Sequence, residues 1–124
     1  MAGLVLLLGQ AWANPSEECA EESHFPEISK NELKKVVQKK SAFIVDVNSE
    51  DSFKEKHVPG AIHYDSRHNE FSKLLPKDKG ALVVAYCGGP QCGAWKKAAT
   101  EACELGYTNI RHFKGGISGW KASS

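Results

Sequence analysis

An excess of charge of either sign is missing from this sequence. Sixteen Lys and Arg stand against 15 Asp and Glu, a formal net charge of +1. That balance offers no electrostatic footprint for a nucleic acid, and none is expected as a partner. Cysteine is sparse: the four, at positions 19, 87, 92 and 103, are too few for a disulfide-built scaffold. With 124 residues the chain forms one domain with a modest core of its own. Paired zinc-ligand spacing is missing as well, because Cys87 and Cys92 are separated by four residues and no second pair follows. No metal site is expected. The N-terminal apolar block Leu4-Val5-Leu6-Leu7-Leu8 is too short to span a membrane, so no stable span is expected.

That block does have a use. It runs into Ala11-Trp12-Ala13, a small-x-small pattern of the kind signal peptidase cuts, so residues 1–13 read as a signal peptide. The mature chain would start at Asn14 and work in the periplasm or outside the cell; without cleavage it would be cytoplasmic. No Lys or Arg precedes the block, which keeps a docking strand or an exposed hydrophobic tail open as alternatives. Residues 14–27 read as a flexible acidic leader, with Cys19 in it as a free or intermolecularly paired thiol. Ser16-Glu17-Glu18 before Cys19 is not a lipid-attachment context.

The globular part begins at residue 28. Ser29 and Glu32 form a capping box ahead of the stripe Leu33, Val36, Val37. Residues 42–47 make a near-continuous apolar strand of the kind buried on both faces of a parallel sheet. Ser49 caps a short helix through Lys56 with Phe53 inward, and His57-Val58-Pro59-Gly60-Ala61-Ile62 turns into another strand. A helix is expected over His68–Leu75, a strand over 81–86, a helix over 94–105, a strand over 109–113, and a closing segment at 115–120. Strands alternating with helices predict an α/β fold.

Between the strand at 81–86 and the helix after it lies Cys87-Gly88-Gly89-Pro90-Gln91-Cys92-Gly93. Gly88 and Gly89 let the backbone turn its N–H groups inward as an anion nest, and the helix start adds unpaired donors and a positive dipole end. Both favour the thiolate, the reactive form of Cys87. A small buried hydrophobe is the plain alternative. Ligands in parallel sheets sit beyond the carboxyl ends of strands, where Cys87 lies, and this favours the reactive reading.

Phe43-Ile44-Val45-Asp46-Val47, His57-Val58-Pro59-Gly60-Ala61, Val83-Val84-Ala85-Tyr86-Cys87, Gly106-Tyr107 and Gly115-Gly116-Ile117-Ser118-Gly119-Trp120, in that order, resemble a single-domain rhodanese from residue 28 to the end. The resemblance implies a three-layer fold, a central mostly parallel sheet flanked by helices on both faces. It implies a sulfurtransferase that takes sulfane sulfur from thiosulfate, polysulfide or a persulfide donor as a Cys87 persulfide. A thiophilic acceptor, a thiol or a protein, then receives it. The substrate loop maps onto Gly88, Gly89, Pro90, Gln91, Cys92 and Gly93, and no cofactor is needed.

The departures from the family pattern refine this expectation. Family loops often carry Arg or Lys; this one carries neither, which disfavours thiosulfate against a persulfide or polysulfide. Asn48 stands where Arg is usual and reads as a lost structural ion pair. Gly93 stands where related phosphatases carry Arg, which excludes phosphatase chemistry. Cys92 is either a resolving thiol for the Cys87 persulfide or a small residue in the first helical turn, the second being favoured. The alternative functions are a dithiol/disulfide oxidoreductase or persulfide reductase using Cys87 with Cys92, and a non-catalytic sulfur carrier. Asp46, Lys96 and Trp95 are supporting candidates, Asp46 chiefly structural and Trp95 either pocket wall or core. Cys103 reads as packing and His57 as structural.

Overall fold

The computed structural model of the chain describes residues 18–122. Four parallel strands, β1 (Phe43–Asp46), β2 (Ile62–His63), β3 (Val83–Tyr86) and β4 (Ile110–His112), form one sheet in the order β2-β1-β3-β4. The helices are α1 (Lys30–Lys39), α2 (Glu50–Glu55), α3 (Phe71–Leu74), α4 (Trp95–Glu104) and α5 (Gly116–Lys121). After β1 the chain adds β2 on one side, then returns to place β3 on the other. The carboxyl ends of β1 and β3 therefore flank the point where strand order reverses, where open α/β sheets keep their ligand crevice.

Alternating side chains on these strands supply the two cores that the helices cover. Val45, Val83 and Ala85 face Phe71 of α3 and Trp95, Ala98 and Ala102 of α4. Ile44, Val84 and Tyr86 face Leu33 of α1, Val58 and Ile117 of α5. All four β3 residues are fully buried, as expected of a central strand with helices on both faces. The capping box holds as expected: Ser29 Oγ accepts from Glu32 N at 3.1 Å and Ser29 N donates to Glu32 Oε1 at 3.2 Å. The helix expected over His68–Leu75 is broken into a 3-10 turn, His68–Glu70, and the single turn of α3.

The N-terminal stretch requires a correction. Residues 1–13, read as a signal peptide, and 14–17 lie outside the described residues. From Glu18 onward the expected flexible leader is instead a packed strap. Cys19, expected to be free or paired between molecules, forms a disulfide with Cys103, expected to be mere packing; their Cα atoms are 5.6 Å apart. Phe25 is buried edge-on against Trp95, with ring centroids at 5.9 Å. Glu27 bridges His112 in parallel at the sheet edge, and His112 N donates to Pro26 O at 3.0 Å. The acidic composition hid this, because a single aromatic and a single thiol anchor a segment that is otherwise polar.

Candidate active site

Cys87 follows β3 directly and is buried, while Gly88 and Gly89 are half-buried and Pro90, Gln91 and Gly93 exposed. The loop's conformation is fixed from behind. Ile117 N donates to Cys87 O at 2.9 Å and Ser118 N to Gly88 O at 3.0 Å, both from the first turn of α5. Asn48 Nδ2 also donates to Cys87 O, at 3.1 Å. In a trans peptide the N–H points opposite to the C=O, so tying these two carbonyls to α5 turns the Gly88 and Gly89 amides away from α5. Among the described residues, the amides of Gly88, Gly89, Gln91 and Gly93 have no protein acceptor. These are the donors that an anion or thiolate at this loop can use.

The start of α4 contributes some of the expected donors. Lys96 N and Lys97 N donate to Gly93 O and Ala94 O, both at 3.1 Å, so those first-turn donors are spent within the chain. Ahead of them, Ala94 N and Trp95 N have no protein acceptor among the described residues, so the helix start adds two donors to those of the loop.

Gly116 allows the close fit of α5 behind the loop. Its φ is +61°, and a Cβ there would lie 2.5 Å from Gly89 N, 2.6 Å from the Gly88 carbonyl carbon and 2.7 Å from Cys87 O. Only glycine lets the two backbones touch.

Beneath the loop a buried polar chain runs through β1. Tyr86 Oη donates to Asp46 Oδ2 at 2.5 Å and accepts from Val58 N at 3.0 Å. Asp46 Oδ1 accepts from Asn48 N at 2.8 Å, and Asn48 O meets His63 Nε2 at 2.7 Å. Burial, then the bond to Asp46, pushes the Tyr86 phenol far above its ordinary range, so it remains a neutral donor. Asp46 thus acts on the site through the Asn48 backbone and touches no loop amide.

The other candidates divide between the two flanks of the loop. Cys92 is bonded to Cys87, with Cα atoms 6.3 Å apart, and lies in the loop ahead of α4 rather than in the first helical turn where it was expected. The turn that returns Cys92 toward Cys87 is closed by Cys92 N donating to Gly89 O at 3.0 Å. Cys92 is half-buried where Cys87 is 2% exposed. An open depression above the loop is bordered by Asn48, Ser52, Gly88, Gln91, Cys92 and Ser118, and no Lys or Arg lines it. Trp95 belongs to the core, stacked on His112 at 3.9 Å. Lys96 lies on the far flank of the loop, exposed and paired with Glu22 at 3.4 Å. Among the described residues no three His, Cys, Asp or Glu side chains gather as a metal site. No helix there is long and apolar enough to cross a membrane.

Sequence reasoning missed Asn48 as a site residue, along with the α5 amides and Gly116. The double glycine Gly115-Gly116 ahead of a short helix was the available signal for close backbone approach.

The fold and loop define a class: a parallel α/β domain with a strand-end cysteine under a glycine-rich turn. A family model, the Rhodanese-like domain, matches residues 29–123, and the chain belongs to that family. Thiosulfate sulfurtransferase GlpE of Coxiella burnetii is 30% identical over 99 residues, covering 79% of this chain and 89% of that protein. GlpE of Shewanella oneidensis is also 30% identical, covering 79% and 94%. Among solved structures, human single domain sulfurtransferase TSTD1 superposes with a TM-score of 0.62 at 24% identity, covering 79% of this chain and 98% of that one. That last likeness concerns the fold.

Proposed function

We propose that the chain is a sulfurtransferase in which Cys87 accepts a sulfane sulfur and passes it to a thiol acceptor. The observation that carries this reading is the loop after the strand-end thiol, with two carbonyls bound to α5 and four amides without a protein acceptor. Once the Cys87–Cys92 disulfide is reduced, the Cys87 thiolate attacks the outer sulfur of the donor. The donor's S–S bond breaks, its remaining thiolate leaves, and a Cys87 persulfide forms. The free loop amides stabilise the negative charge that passes through the site. An acceptor thiolate then attacks the outer sulfur and regenerates the Cys87 thiolate.

The uncharged border of the depression supports a persulfide or polysulfide as donor over the thiosulfate dianion. No guanidinium or ammonium on that flank balances a second negative charge, and on the opposite flank Lys96 and Lys114 stand among Glu22 and Glu27. Action in an oxidising compartment fits two disulfides in one small chain; fractionation of the expressed full chain tests it.

The deciding experiment is sulfur transfer to cyanide by pre-reduced protein, with cysteine persulfide and thiosulfate compared as donors. Transfer is expected to be at least about tenfold faster from the persulfide and to vanish in Cys87→Ser. Undiminished transfer by Cys87→Ser refutes the mechanism, and a preference for thiosulfate refutes the assigned donor.

A further inference from the structure

Two sulfurs of a Cys87 persulfide can be attacked, and burial decides which attacker reaches which. Attack on the outer sulfur moves it to the acceptor, whereas attack on Cys87 Sγ expels it as hydrosulfide. Cys87 is 2% exposed in the disulfide form, so its Sγ is the less open of the two sulfurs to a thiol arriving from solvent. Cys92 sits on the same seven-residue loop, within bonding reach of Cys87 Sγ from inside it. It is also more exposed than Cys87 and borders the open depressions on both flanks of the loop, within reach of a reductant.

From this difference in access we infer a second activity, resting on the Cys87 persulfide proposed above: the chain is a persulfide reductase that releases sulfide, with Cys92 as resolving thiol. In the first step a Cys87 thiolate takes the outer sulfur of a persulfide R–S–SH, giving Cys87–S–SH and R–S⁻. In the second, the Cys92 thiolate attacks Cys87 Sγ. The Cys87–Cys92 bond forms, the bond from Cys87 Sγ to the sulfane sulfur breaks, and HS⁻ leaves. The sulfane sulfur gains two electrons, one from each cysteine, and becomes sulfide. An external dithiol reductant restores both thiols and becomes a disulfide itself. The Cys87–Cys92 disulfide in the structure is the end product of the second step. Transfer and release thus compete for one intermediate, and abundant acceptor thiol favours transfer.

The test is a single turnover of the pre-reduced full chain, cleared of reductant and given one equivalent of cysteine persulfide. Wild type is expected to release about one sulfide per chain and to lose two hydrogens, with peptide mapping placing the new bond between Cys87 and Cys92. Cys92→Ser and Cys92→Ala are expected to retain the added sulfur on Cys87, to release sulfide at least about tenfold more slowly, and to pass the sulfur to an added thiol as that thiol's persulfide. The Cys19→Ser, Cys103→Ser double variant is expected to behave as wild type, which assigns the lost hydrogens to the loop pair. Wild type that keeps the sulfur as stably as Cys92→Ser overturns the inference and leaves the transferase reading standing. Disulfide formation without sulfide also overturns it. Failure of every variant to take up sulfur overturns the transferase reading itself.

Discussion

Gly116→Ala is the sharpest probe of how this loop is held. The substitution does two separable things. It places an L side chain at φ +61°, which costs about 1–2 kcal/mol by clash within the residue. It also drives a methyl to 2.5–2.7 Å from three backbone atoms of Cys87, Gly88 and Gly89, none of which can swing aside as a flexible side chain would. Overpacking of this kind costs about 1–3 kcal/mol more, so the total destabilisation is about 2–5 kcal/mol. Relieving the contact to an ordinary 3.4 Å means separating α5 from the loop by about 0.9 Å. A misplacement near 1 Å at reacting groups lowers turnover about 10²-fold. Gly60→Ala separates the two effects, since Gly60 has φ +87° with nothing within 4 Å of an added Cβ. It should show the strain alone, about 1–2 kcal/mol, with transfer intact. Urea unfolding gives the stabilities, and single-turnover sulfur uptake by pre-reduced protein gives the loop's competence. If Gly116→Ala matches Gly60→Ala in both readouts, the loop is not seated on α5 as argued.

Three further perturbations test the supports around the loop. Asn48→Ala removes the donor to Cys87 O but leaves Ile117 N in place; about 0.5–1.5 kcal/mol should be lost. Sulfur uptake should slow with it, and Asn48→Asp, which cannot donate when ionised, should not restore the rate. Tyr86→Phe strands a buried Asp46 oxygen and the Val58 amide, and should cost about 2–4 kcal/mol in urea unfolding. The phenols of Tyr86 and Tyr64 are both raised above the ordinary 10.0 by burial and by their carboxylate partners Asp46 and Glu101. The folded state therefore holds protons that the unfolded state releases above 10.0, so stability is intact below that pH and falls above it. Tyr64→Phe should make that alkaline fall shallower in denaturation midpoints measured across it. Cys19→Ser with Cys103→Ser opens a link across 84 residues and should lower stability by about 2–4 kcal/mol.

The parts of the fold legible in the sequence were those written in local pattern. Ser29 with Glu32 is a capping box that a span of four residues determines, and residues 43–45 and 83–86 are apolar because both faces of a central strand are covered. Cys87 was legible because its position depends only on the strand before it and the glycines after it. Asn48 was not: its effect depends on register, which sets Asp46 beside Tyr86 and so brings the residue after Val47 to the Cys87 carbonyl. Reading it as a vacated ion-pair position considered the charge it lacks and overlooked the amide it supplies. Cys19 with Cys103 and Phe25 with Trp95 were hidden for the same reason, since each pair is long-range and one partner sits in a polar stretch.

These long-range contacts also explain why the strap belongs to the site's support although it touches no reacting atom. The loop has two ends. At Cys87 and Gly88 it is fixed by Asn48 and the α5 amides. At Gly93 it runs into α4, and α4 is where the strap attaches: Phe25 on Trp95, Glu22 on Lys96, the Cys19 carbonyl on Thr100 Oγ1, and the disulfide at Cys103. The strap meets α4 at four places, so the contacts of Phe25, Glu22 and the Cys19 carbonyl remain to hold the loop's far end when the Cys19–Cys103 bond is removed. Each disulfide pairs a cysteine that is 2% exposed, Cys19 or Cys87, with a half-buried one, Cys103 or Cys92. Burial therefore does not separate the two bonds, and it is Phe25, Glu22 and the Cys19 carbonyl that keep the strap on α4 whichever disulfide is reduced.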